Sequence, residues 1–550
     1  MKLFAEKLRD AVILVAMEVY LEGLPTYAGG LGFLTGDILL SAADIGYPMV
    51  CVTLLHDRGY IQHEVKEGKV FDYDEPYDPL DHHEKLSLKL ELNLRSGPIY
   101  LNVWRHWIKG LKSEVPVYML DSNTPENSKN LREITSRVYI ENRDEERLIK
   151  ELILGLGALE LVKKLGLSAK KFHLNESHAG FLALELLKKY KNLDEVRSKV
   201  VFTTHTPLPY GHEQFDYGLV EEYYEVPAEV KAVSPEALKM TRVLEFLSGY
   251  YNCVSYKFSK VHEILFPGST PDYITNGVHH LRWVHDRVAK LYDKWLNGWR
   301  NDPSRLVYAA SIPLKEVEEI KALCKVELVD YVNSRAHLNK VFDSSSFIAS
   351  LRRRITGYKR VTLILRDQEL LETLGKKYNL QLIFSGTVHP KDLGGREELR
   401  TILDAISTLV HVRIAFSGKR GAKLEKLLAA GSDLWLHTPR PPFEACGTSW
   451  MRAALNLTPT LASHDGGVLE GIADGQNGWL FGKDAMSPDE PFDERADLKD
   501  FYAKLRGILD LYSTNKSRYM LTSTYAAARI GSYFNTSRAL SEYISRAYEP

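Results

Sequence analysis

Cysteine is scarce in this chain: only Cys51, Cys253, Cys324 and Cys446 occur among 550 residues, and no two of them are close in sequence. A small secreted fold held by disulfides needs a denser set of cysteines, and a cysteine-built zinc site needs closely spaced pairs. Both classes of protein are therefore excluded.

An excess of charge of one sign is also missing, because 71 Lys and Arg residues face 72 Asp and Glu residues. A net basic field for nucleic acid or an anionic membrane is thus absent, although a local cationic pocket is compatible with this balance. No stretch reaches the roughly 18 apolar residues of a transmembrane helix. The apolar run near the N-terminus contains Glu18 and lacks a small-residue cleavage site after it. We expect a cytoplasmic protein that binds neither nucleic acid nor membrane.

The composition that remains is that of a globular protein, with 44% apolar and 26% charged residues. Short continuous apolar runs alternate with turns and helical stretches, a pattern typical of strands buried on both faces of a parallel sheet. The predicted fold class is α/β, doubly wound. A helix is predicted over residues 34–46. The predicted strands are residues 11–19, 47–55, 200–205, 347–352, 380–386, 412–418, 434–438 and 458–467.

Two series of these units, separated by a charged helical segment, predict two Rossmann-like lobes facing a central cleft. We expect an N-terminal lobe at 1–285, a C-terminal lobe at 286–525 and a helical tail at 526–550. Ligands of such sheets bind at the carboxyl ends of the strands, so the cleft is the expected site.

A basic run, RRRITGYKR at residues 352–360, follows one predicted strand and precedes a predicted helix. Guanidinium forks and a lysine charge suit a phosphate, whereas cations at a helix start oppose the helix dipole. The run therefore predicts a phosphate site rather than a solvated helix start.

Three further segments are compatible with either a ligand loop or a structural turn: YAGGLG at 27–32, PPFEACGTSWMR at 441–452, and Asp465-Gly466-Gly467. His173, Glu176 and His178 lack the spacing of a zinc motif, and no metal site is expected. His205 ends a strand and is either a substrate contact or a satisfied core residue. His82 and His83 lie in a charged run and are expected at the surface.

Together these segments resemble the glycogen (α-glucan) phosphorylase family, especially its shorter microbial and archaeal members. The similarity extends from about residue 17 to 482 and includes, in order, TYAGGLGFLTGDILLSAADIGYPMV, FHLNESHAGFLALELL, VVFTTHTPLPYGHEQFD, YITNGVH, RRITGYKR, IFSGTVHP and FEACGTSWMRAALN. The resemblance implies the GT-B glycosyltransferase fold, with the glucan on the N-terminal lobe and phosphate on the C-terminal lobe. It also implies retaining transfer between α-1,4-glucan and phosphate, with glucose 1-phosphate as the sugar phosphate. Pyridoxal phosphate is the implied cofactor, used through its phosphate group.

The resemblance also implies residue roles. Catalytic roles fall on Arg354, Lys359, His205 and Glu444. Phosphate or cofactor binding falls on Gly29, Gly30, Gly32, Arg353, Gly447, Thr448 and Arg452. Substrate contacts are expected from Asn175, Glu176, His178, Asp465 and Gly466. The expected partners are an α-glucan or maltooligosaccharide together with phosphate, a sugar phosphate or a nucleotide sugar, and homo-oligomerisation is left open.

One departure from the family pattern concerns Arg452, which stands where the family has its Schiff-base lysine. A guanidinium stays protonated and has no nucleophilic amine, so no covalent Schiff base is expected there. Two alternatives to a phosphorylase-type enzyme stay open. FEACGT and the R-x-x-x-x-K spacing of Arg354 and Lys359 also resemble glycogen and starch synthases, which use a nucleotide-diphosphate glucose. The other alternative is a catalytically dead glucan-binding homologue.

Overall fold

The computed structural model describes residues 10–549, without the side chain of Tyr210, so the first nine residues and Pro550 lie outside it. Within this part of the chain, no helix combines the length and apolar character needed to cross a bilayer.

The strands up to residue 273 are β1 (Ala11–Ala16), β2 (Met49–Leu54), β3 (Ile61–Lys66), β4 (Lys69–Asp74), β5 (Glu84–Leu94), β6 (Gly97–Lys109), β7 (Glu114–Asp121), β8 (Ala169–Asn175), β9 (Val200–Thr204), β10 (Gln214–Phe215), β11 (Leu238–Lys239), β12 (Tyr250–Cys253) and β13 (Asp272–Tyr273). The later strands are β14 (His337–Leu338), β15 (Ile348–Arg352), β16 (Gln381–Ser385), β17 (Arg413–Ser417), β18 (Leu434–His437), β19 (Thr460–Ser463) and β20 (Trp479–Phe481).

Two large, mostly parallel sheets organise the molecule. The first has the order β13-β12-β9-β8-β1-β2-β7-β6-β5, and only its β5–β6–β7 edge pairs antiparallel among the described strands. The second has the order β14-β17-β16-β15-β18-β19-β20, with β14 antiparallel to β17. Strands such as β1 and β15 are buried along their whole length, which is why they read as continuous apolar runs. The predicted α/β class and the two-lobed GT-B architecture are confirmed.

Helices cover both sheets. The α-helices in the first half are Gly30–Ile45, Lys129–Arg132, Asp144–Lys164, Phe181–Tyr190, Leu193–Lys199, Tyr217–Tyr223, Ala228–Val233, Met240–Leu247 and Tyr256–Leu265. Those in the second half are His280–Trp283, Asp286–Trp295, Leu314–Arg335, Gln368–Tyr378, Leu393–Thr408, Ala422–Gly431, Ser449–Leu455, Val468–Gly471, Glu494–Thr514, Lys516–Ala526 and Thr536–Tyr543.

The C-terminal helices bridge the two sheets. Tyr519 donates a hydrogen bond to the Asp433 carbonyl beside the second sheet, at 2.5 Å. Further along, Thr536 meets Ser41 of the helix Gly30–Ile45, and the Tyr548 hydroxyl lies 2.6 Å from His173 Nδ1 at the first sheet. In the predicted tail, 526–550, residues 526–548 are helical except for a break at Phe534 and Asn535, and Phe534 packs on Trp450 of the second lobe.

The prediction of a helix directly after the basic run is wrong. The chain forms only a short 3-10 turn at Gly357–Lys359, and the next α-helix begins at Gln368. Arg360 ends the turn in the left-handed conformation, with a φ of 45°. Its buried guanidinium binds Asp497 at 2.5 Å and donates to the Thr438 carbonyl, so a tertiary ion pair overrides the local helical tendency.

The surface position predicted for His83 is also wrong, whereas that for His82 is correct. His83 is 7% exposed and packs edge-on against Tyr77 and His106. Tyr77, six residues earlier, and His106, 23 residues later on β6, provide this burial.

The hairpin β3–β4 joins the first lobe to the second through His63. Its Nδ1 donates to Asp72 at 2.7 Å, and its Nε2 accepts the Val388 backbone N–H at 2.7 Å. The His63 backbone N–H donates to the Gly418 carbonyl. This imidazole must be neutral, because a proton on Nε2 would point at another N–H donor. Consistently, burial lowers the pKa of His63 below its ordinary value of 6.5.

Replacing His63 by alanine is expected to cost about 1–3 kcal/mol, because a buried N–H loses its acceptor. A depressed histidine pKa stabilises the fold above the unfolded pKa of 6.5 and loses that contribution as the pH falls below it. The difference between wild type and His63→Ala in urea unfolding should therefore be largest above pH 6.5. The exposed His82→Ala is the control, and a difference that does not depend on pH would contradict the assignment.

Candidate active site

A cavity of about 430 Å³, here called the cleft cavity, lies between the carboxyl ends of the two sheets. Its walls come from the loops after β8 and β9 on one side and after β15, β16, β17 and β18 on the other. The predicted site residues that line it are Gly29, Gly30, Glu176, His178, His205, Arg353, Arg354, Lys359, Glu444, Gly447, Thr448 and Arg452. Gly32, Asn175, Asp465 and Gly466 lie behind these walls and contact the lining residues.

The cations of the basic run point in two directions, towards the protein interior and towards the cavity. Arg360 faces the interior, whereas Arg353, Arg354 and Lys359 face the cavity. The Arg354 side chain is exposed to the cavity and has no ion-pair partner within the described residues. Arg353 is 7% exposed, and its Nε and Nη1 groups find no hydrogen-bond acceptor in the described part of the chain. Buried donors without an acceptor are costly, so this wall is built to receive an anion.

Glu444 provides the counter-charge for two of these cations. Its Oε2 accepts from Arg353 Nη2 at 2.9 Å and from Lys359 Nζ at 2.5 Å. Burial raises the pKa of Glu444, but Lys359 and Arg353 lower it more, to about 2, so the carboxylate stays ionised. Burial lowers the pKa of the Lys359 ammonium to about 7, against the opposing effect of Glu444.

The backbone around Glu444 is held by residues outside the cavity. Asp465 Oδ2 accepts the Glu444 N–H at 2.7 Å, and Lys257 pairs with the other oxygen at 3.2 Å. Gly466 has a φ of 64°, and a Cβ there would lie 2.6 Å from the Glu444 carbonyl oxygen. Asp465 and Gly466 therefore position Glu444 rather than line the cavity.

Gly447 lets two functional side chains approach each other. A Cβ at this position would lie 2.5 Å from His437 Cε1 and 2.9 Å from Glu444 Oε1. His437, which ends β18, has neither ring nitrogen hydrogen-bonded to a described residue. Burial lowers its pKa well below the usual range, so it stands as a neutral imidazole beside Glu444.

The glycine loop precedes the helix Gly30–Ile45. A Cβ at Gly29 or Gly30 would meet nothing within 4 Å, whereas one at Gly32 would lie 2.5 Å from Tyr27 Cβ. Gly29 and Gly30 thus leave open space at the cavity, and Gly32 serves close packing. Glu18, which also lines the cavity, accepts the N–H groups of Ala28 and Gly29. The free N–H groups of the first helical turn follow at Gly30.

The opposite wall is organised by Glu176, which has an unusual positive φ of 77°. Its carboxylate accepts the backbone N–H of His205 at 2.7 Å and the Thr206 hydroxyl at 3.1 Å. His205 Nε2 donates to Asn175 Oδ1 at 2.7 Å, which leaves Nδ1 as the acceptor of the ring. Burial lowers the pKa of His205 to about 4, so the ring is neutral at pH 7. Such strain at Glu176 is typical of functional loops.

His178 approaches Glu213 at 3.5 Å and packs on the Tyr139 ring, while its Nδ1 has no hydrogen-bond partner among the described residues. No group of three metal-ligating side chains is found between residues 10 and 549.

Arg452 is fixed at the base of the cavity. Its guanidinium donates to Glu425 Oε1 at 2.9 Å and to Thr448 Oγ1 at 3.3 Å. The rings of Phe33 and Trp283 lie 4.9 Å and 4.8 Å from it. The residues present do not fit a covalently held pyridoxal phosphate, because position 452 offers no amine and its guanidinium is held by Glu425 and Thr448.

Sequence reasoning missed Glu425 and Arg420, both of which line the cavity. Glu425 bridges Arg452 and Arg352, and Arg420 lies 4.1 Å above the Tyr27 ring. Both belong to stretches without a motif. The partner of Glu425 is 27 residues away at position 452, so the sequence around Glu425 does not indicate the pairing. Glu18 did carry a signal, since it is a carboxylate within an apolar run.

Sulfate affinity should depend on the charge of Lys359. The ammonium is charged below its pKa of about 7 and neutral above it, while sulfate keeps its charge throughout this range. We expect the dissociation constant of sulfate, measured by calorimetry, to rise by up to about tenfold per pH unit above pH 7. Lys359→Arg, which stays charged, should flatten the profile. An unchanged profile in that variant would show that another group titrates.

Comparison with known proteins places these features in one family. No protein-family model matches the chain. The maltodextrin phosphorylase of Thermococcus litoralis is 30% identical over 98% of this chain and 71% of its own length. The glycogen phosphorylase of Aquifex aeolicus is 31% identical over 95% of this chain and 83% of its own length. An uncharacterised protein of Methanocaldococcus jannaschii is 28% identical over 96% of this chain and 97% of its own length. The chain therefore belongs to the glycogen and maltodextrin phosphorylase family.

Proposed function

We propose that this protein is a retaining α-glucosyltransferase of the α-glucan phosphorylase type, which exchanges the terminal glucosyl unit of an α-1,4-glucan with phosphate and yields glucose 1-phosphate. The observation that carries the proposal is the convergence of Arg353, Arg354 and Lys359 on one wall of the cleft cavity. Two buried donors of Arg353, Nε and Nη1, find no acceptor there among residues 10–549. The relatives named as phosphorylases support phosphate as the anion.

The phosphate is held by Arg354 and by the free donors of Arg353, with Lys359 as a third charge. In the proposed step, the bond between C1 and the glycosidic oxygen breaks while that oxygen takes a proton from the bound phosphate. A phosphate oxygen then bonds to C1 on the same face, which retains the configuration. Fixed cations stabilise the phosphate as it loses its proton, and each such donor contributes about 10²–10³ in rate.

Hydrolysis of the glucan is disfavoured by the state of the cavity carboxylates. A glycosidase needs a protonated carboxylic acid beside a second carboxylate. Here the pKa of Glu444 is lowered mainly by Lys359 and that of Glu425 by Arg452, each against the effect of burial. The pKa of Glu176 also lies below its ordinary value, and its carboxylate accepts the backbone N–H of His205. Glu18 is engaged by two backbone N–H groups. The substrate phosphate is therefore the better proton source.

The sugar is oriented from both lobes. Glu444, with its second oxygen beside the Gly447 loop, accepts a sugar hydroxyl, and the open space at Gly29 and Gly30 lets the ring approach the helix start. His205 offers its Nδ1 from the opposite wall. We infer that the glucan enters along the Glu176–His205 side.

The donor assay tests this function. The protein is incubated with a maltooligosaccharide and either glucose 1-phosphate, UDP-glucose or ADP-glucose, and chain lengths are measured by chromatography. We expect the maltooligosaccharide to be extended when glucose 1-phosphate is the donor, and not when UDP-glucose or ADP-glucose is the donor. Extension only with a nucleotide sugar would replace the proposal by a synthase-type enzyme. Glucan binding without extension by any donor would indicate an inactive homologue.

A further inference from the structure

Arg353, Arg354 and Lys359 form one wall of the cleft cavity, here called the anion wall. The cavity contains a second charged group, here called the inner triad: Arg352, Glu425 and Arg452. Glu425 lies between the two guanidinium groups. Its Oε1 accepts from Arg452 at 2.9 Å, and its Oε2 accepts from Nε of Arg352. All three side chains are at most 8% exposed. Burial raises the pKa of Glu425, but Arg452 and Arg352 together bring it below the ordinary value, so the triad carries one net positive charge.

Both arginines are fixed beyond their contact with Glu425. Arg352 Nη1 donates to Ser385 Oγ at 2.6 Å and to the Lys419 carbonyl at 3.1 Å. Arg452 donates to Thr448 and packs against the rings of Phe33 and Trp283. Moving either guanidinium would break buried charge-assisted hydrogen bonds and leave a buried charge unpaired, which is costly.

The amine that a cofactor aldehyde needs is not part of the inner triad, because Glu425 pairs only with arginines among the described residues. Lys359 is the one lysine that lines the cleft cavity in that part of the chain, and its Nζ is held by Glu444 rather than by a member of the triad. A cofactor phosphate would also have to compete with Glu425, because that carboxylate already occupies the space between the two guanidinium groups.

We propose that the inner triad replaces pyridoxal phosphate in this protein, with Glu425 as a built-in anion, so that glucosyl transfer proceeds without the cofactor. The inference rests on the proposed function, since only an enzyme of that type would be expected to need this group. The triad keeps a net positive charge at the base of the cavity, and so favours the substrate phosphate bound above it.

Cofactor binding by the wild-type protein is the first test, and it does not depend on activity. Pyridoxal phosphate and pyridoxine 5′-phosphate are each offered in equilibrium dialysis, followed by absorption spectroscopy. Pyridoxine 5′-phosphate has no aldehyde, so it reports noncovalent binding without reaction at surface lysines. We expect no saturable binding of either compound. One equivalent of either compound bound per chain, displaced by phosphate, would overturn the proposal whether or not the protein transfers glucose.

Rescue by a small carboxylate is the second test. Glu425→Ala should lower Tm by about 3–4 °C, because two buried guanidinium groups lose their counter-ion. Formate should restore part of the loss, whereas the same concentration of chloride should not. The control is Glu494→Ala, which removes a carboxylate from an exposed pair with Arg366 and should show neither effect. A Glu425→Ala protein as stable as wild type would overturn the role given to Glu425. If the variant does not fold, the wild-type dialysis still decides the proposal.

Discussion

Replacing Arg354 by alanine is expected to lower kcat/KM for glucose 1-phosphate by about 10²–10³-fold, the usual cost of removing one fixed donor from a developing anion. Arg354 is exposed to the cleft cavity and forms no salt bridge with a described residue, so the substitution breaks no ion pair that holds the fold. The loss should therefore appear in kinetics and in sulfate binding, while Tm stays close to that of wild type.

Arg366 provides the matched control for this substitution. It lies in the segment after the basic run and forms an exposed ion pair with Glu494, away from the cavity. Arg366→Ala should leave kcat/KM and sulfate affinity unchanged, because exposed pairs contribute about 0–1 kcal/mol. Equal losses in the two variants would mean that Arg354 acts only through general surface charge, and the anion wall would have to be placed elsewhere.

The second large effect is expected at Glu444. Glu444→Gln keeps the shape of the side chain but removes the charge that holds Lys359 and Arg353. Truncating one partner of a buried charged pair costs about 2–5 kcal/mol. We expect kcat/KM to fall by about 10²–10⁴-fold, through both the misplaced cations and the lost contact with the sugar.

The pH profile separates this role from a merely structural one. Glu444 raises the pKa of Lys359 against the effect of burial, so its removal should move that pKa below about 7. The pH above which sulfate affinity declines should shift downward in Glu444→Gln. Glu398→Gln serves as a control. Glu398 is a half-buried carboxylate that accepts hydrogen bonds from Thr362 and is not among the residues that line the cavity. A profile in Glu444→Gln that matches wild type would remove Glu444 from the anion wall.

The parts of the site that were predictable from sequence are those that lie at strand ends. Arg353, Arg354 and Lys359 follow β15 within one short segment, and His205 follows β9. Parallel strands bring such ends to one edge of a sheet, so contiguous residue patterns were enough. The buried strands were also predictable from contiguous residues, because their apolar runs are continuous.

The parts that were not predictable depend on pairing between distant positions. Arg360 belongs to the same basic run as Lys359, yet it lies in the interior, where it pairs with Asp497. Arg360 also ends the short turn at which a helix was predicted to begin. Glu425 gains its role only because the fold places it between Arg352 and Arg452. Asp465 and Gly466 were expected at the substrate but position Glu444 from behind. In each case the partner is remote in sequence, and no local pattern records it.

If the cations of the cleft cavity hold a phosphate that accepts a glucosyl unit, the reaction needs no pyridoxal phosphate. Phosphorus NMR can follow purified protein, shown by absorption to be free of pyridoxal phosphate, in the presence of a maltooligosaccharide and inorganic phosphate. We expect α-glucose 1-phosphate to accumulate at a rate that added pyridoxal phosphate does not change. Product formation only after pyridoxal phosphate is added, or no sugar phosphate under either condition, would overturn the cofactor-free reaction.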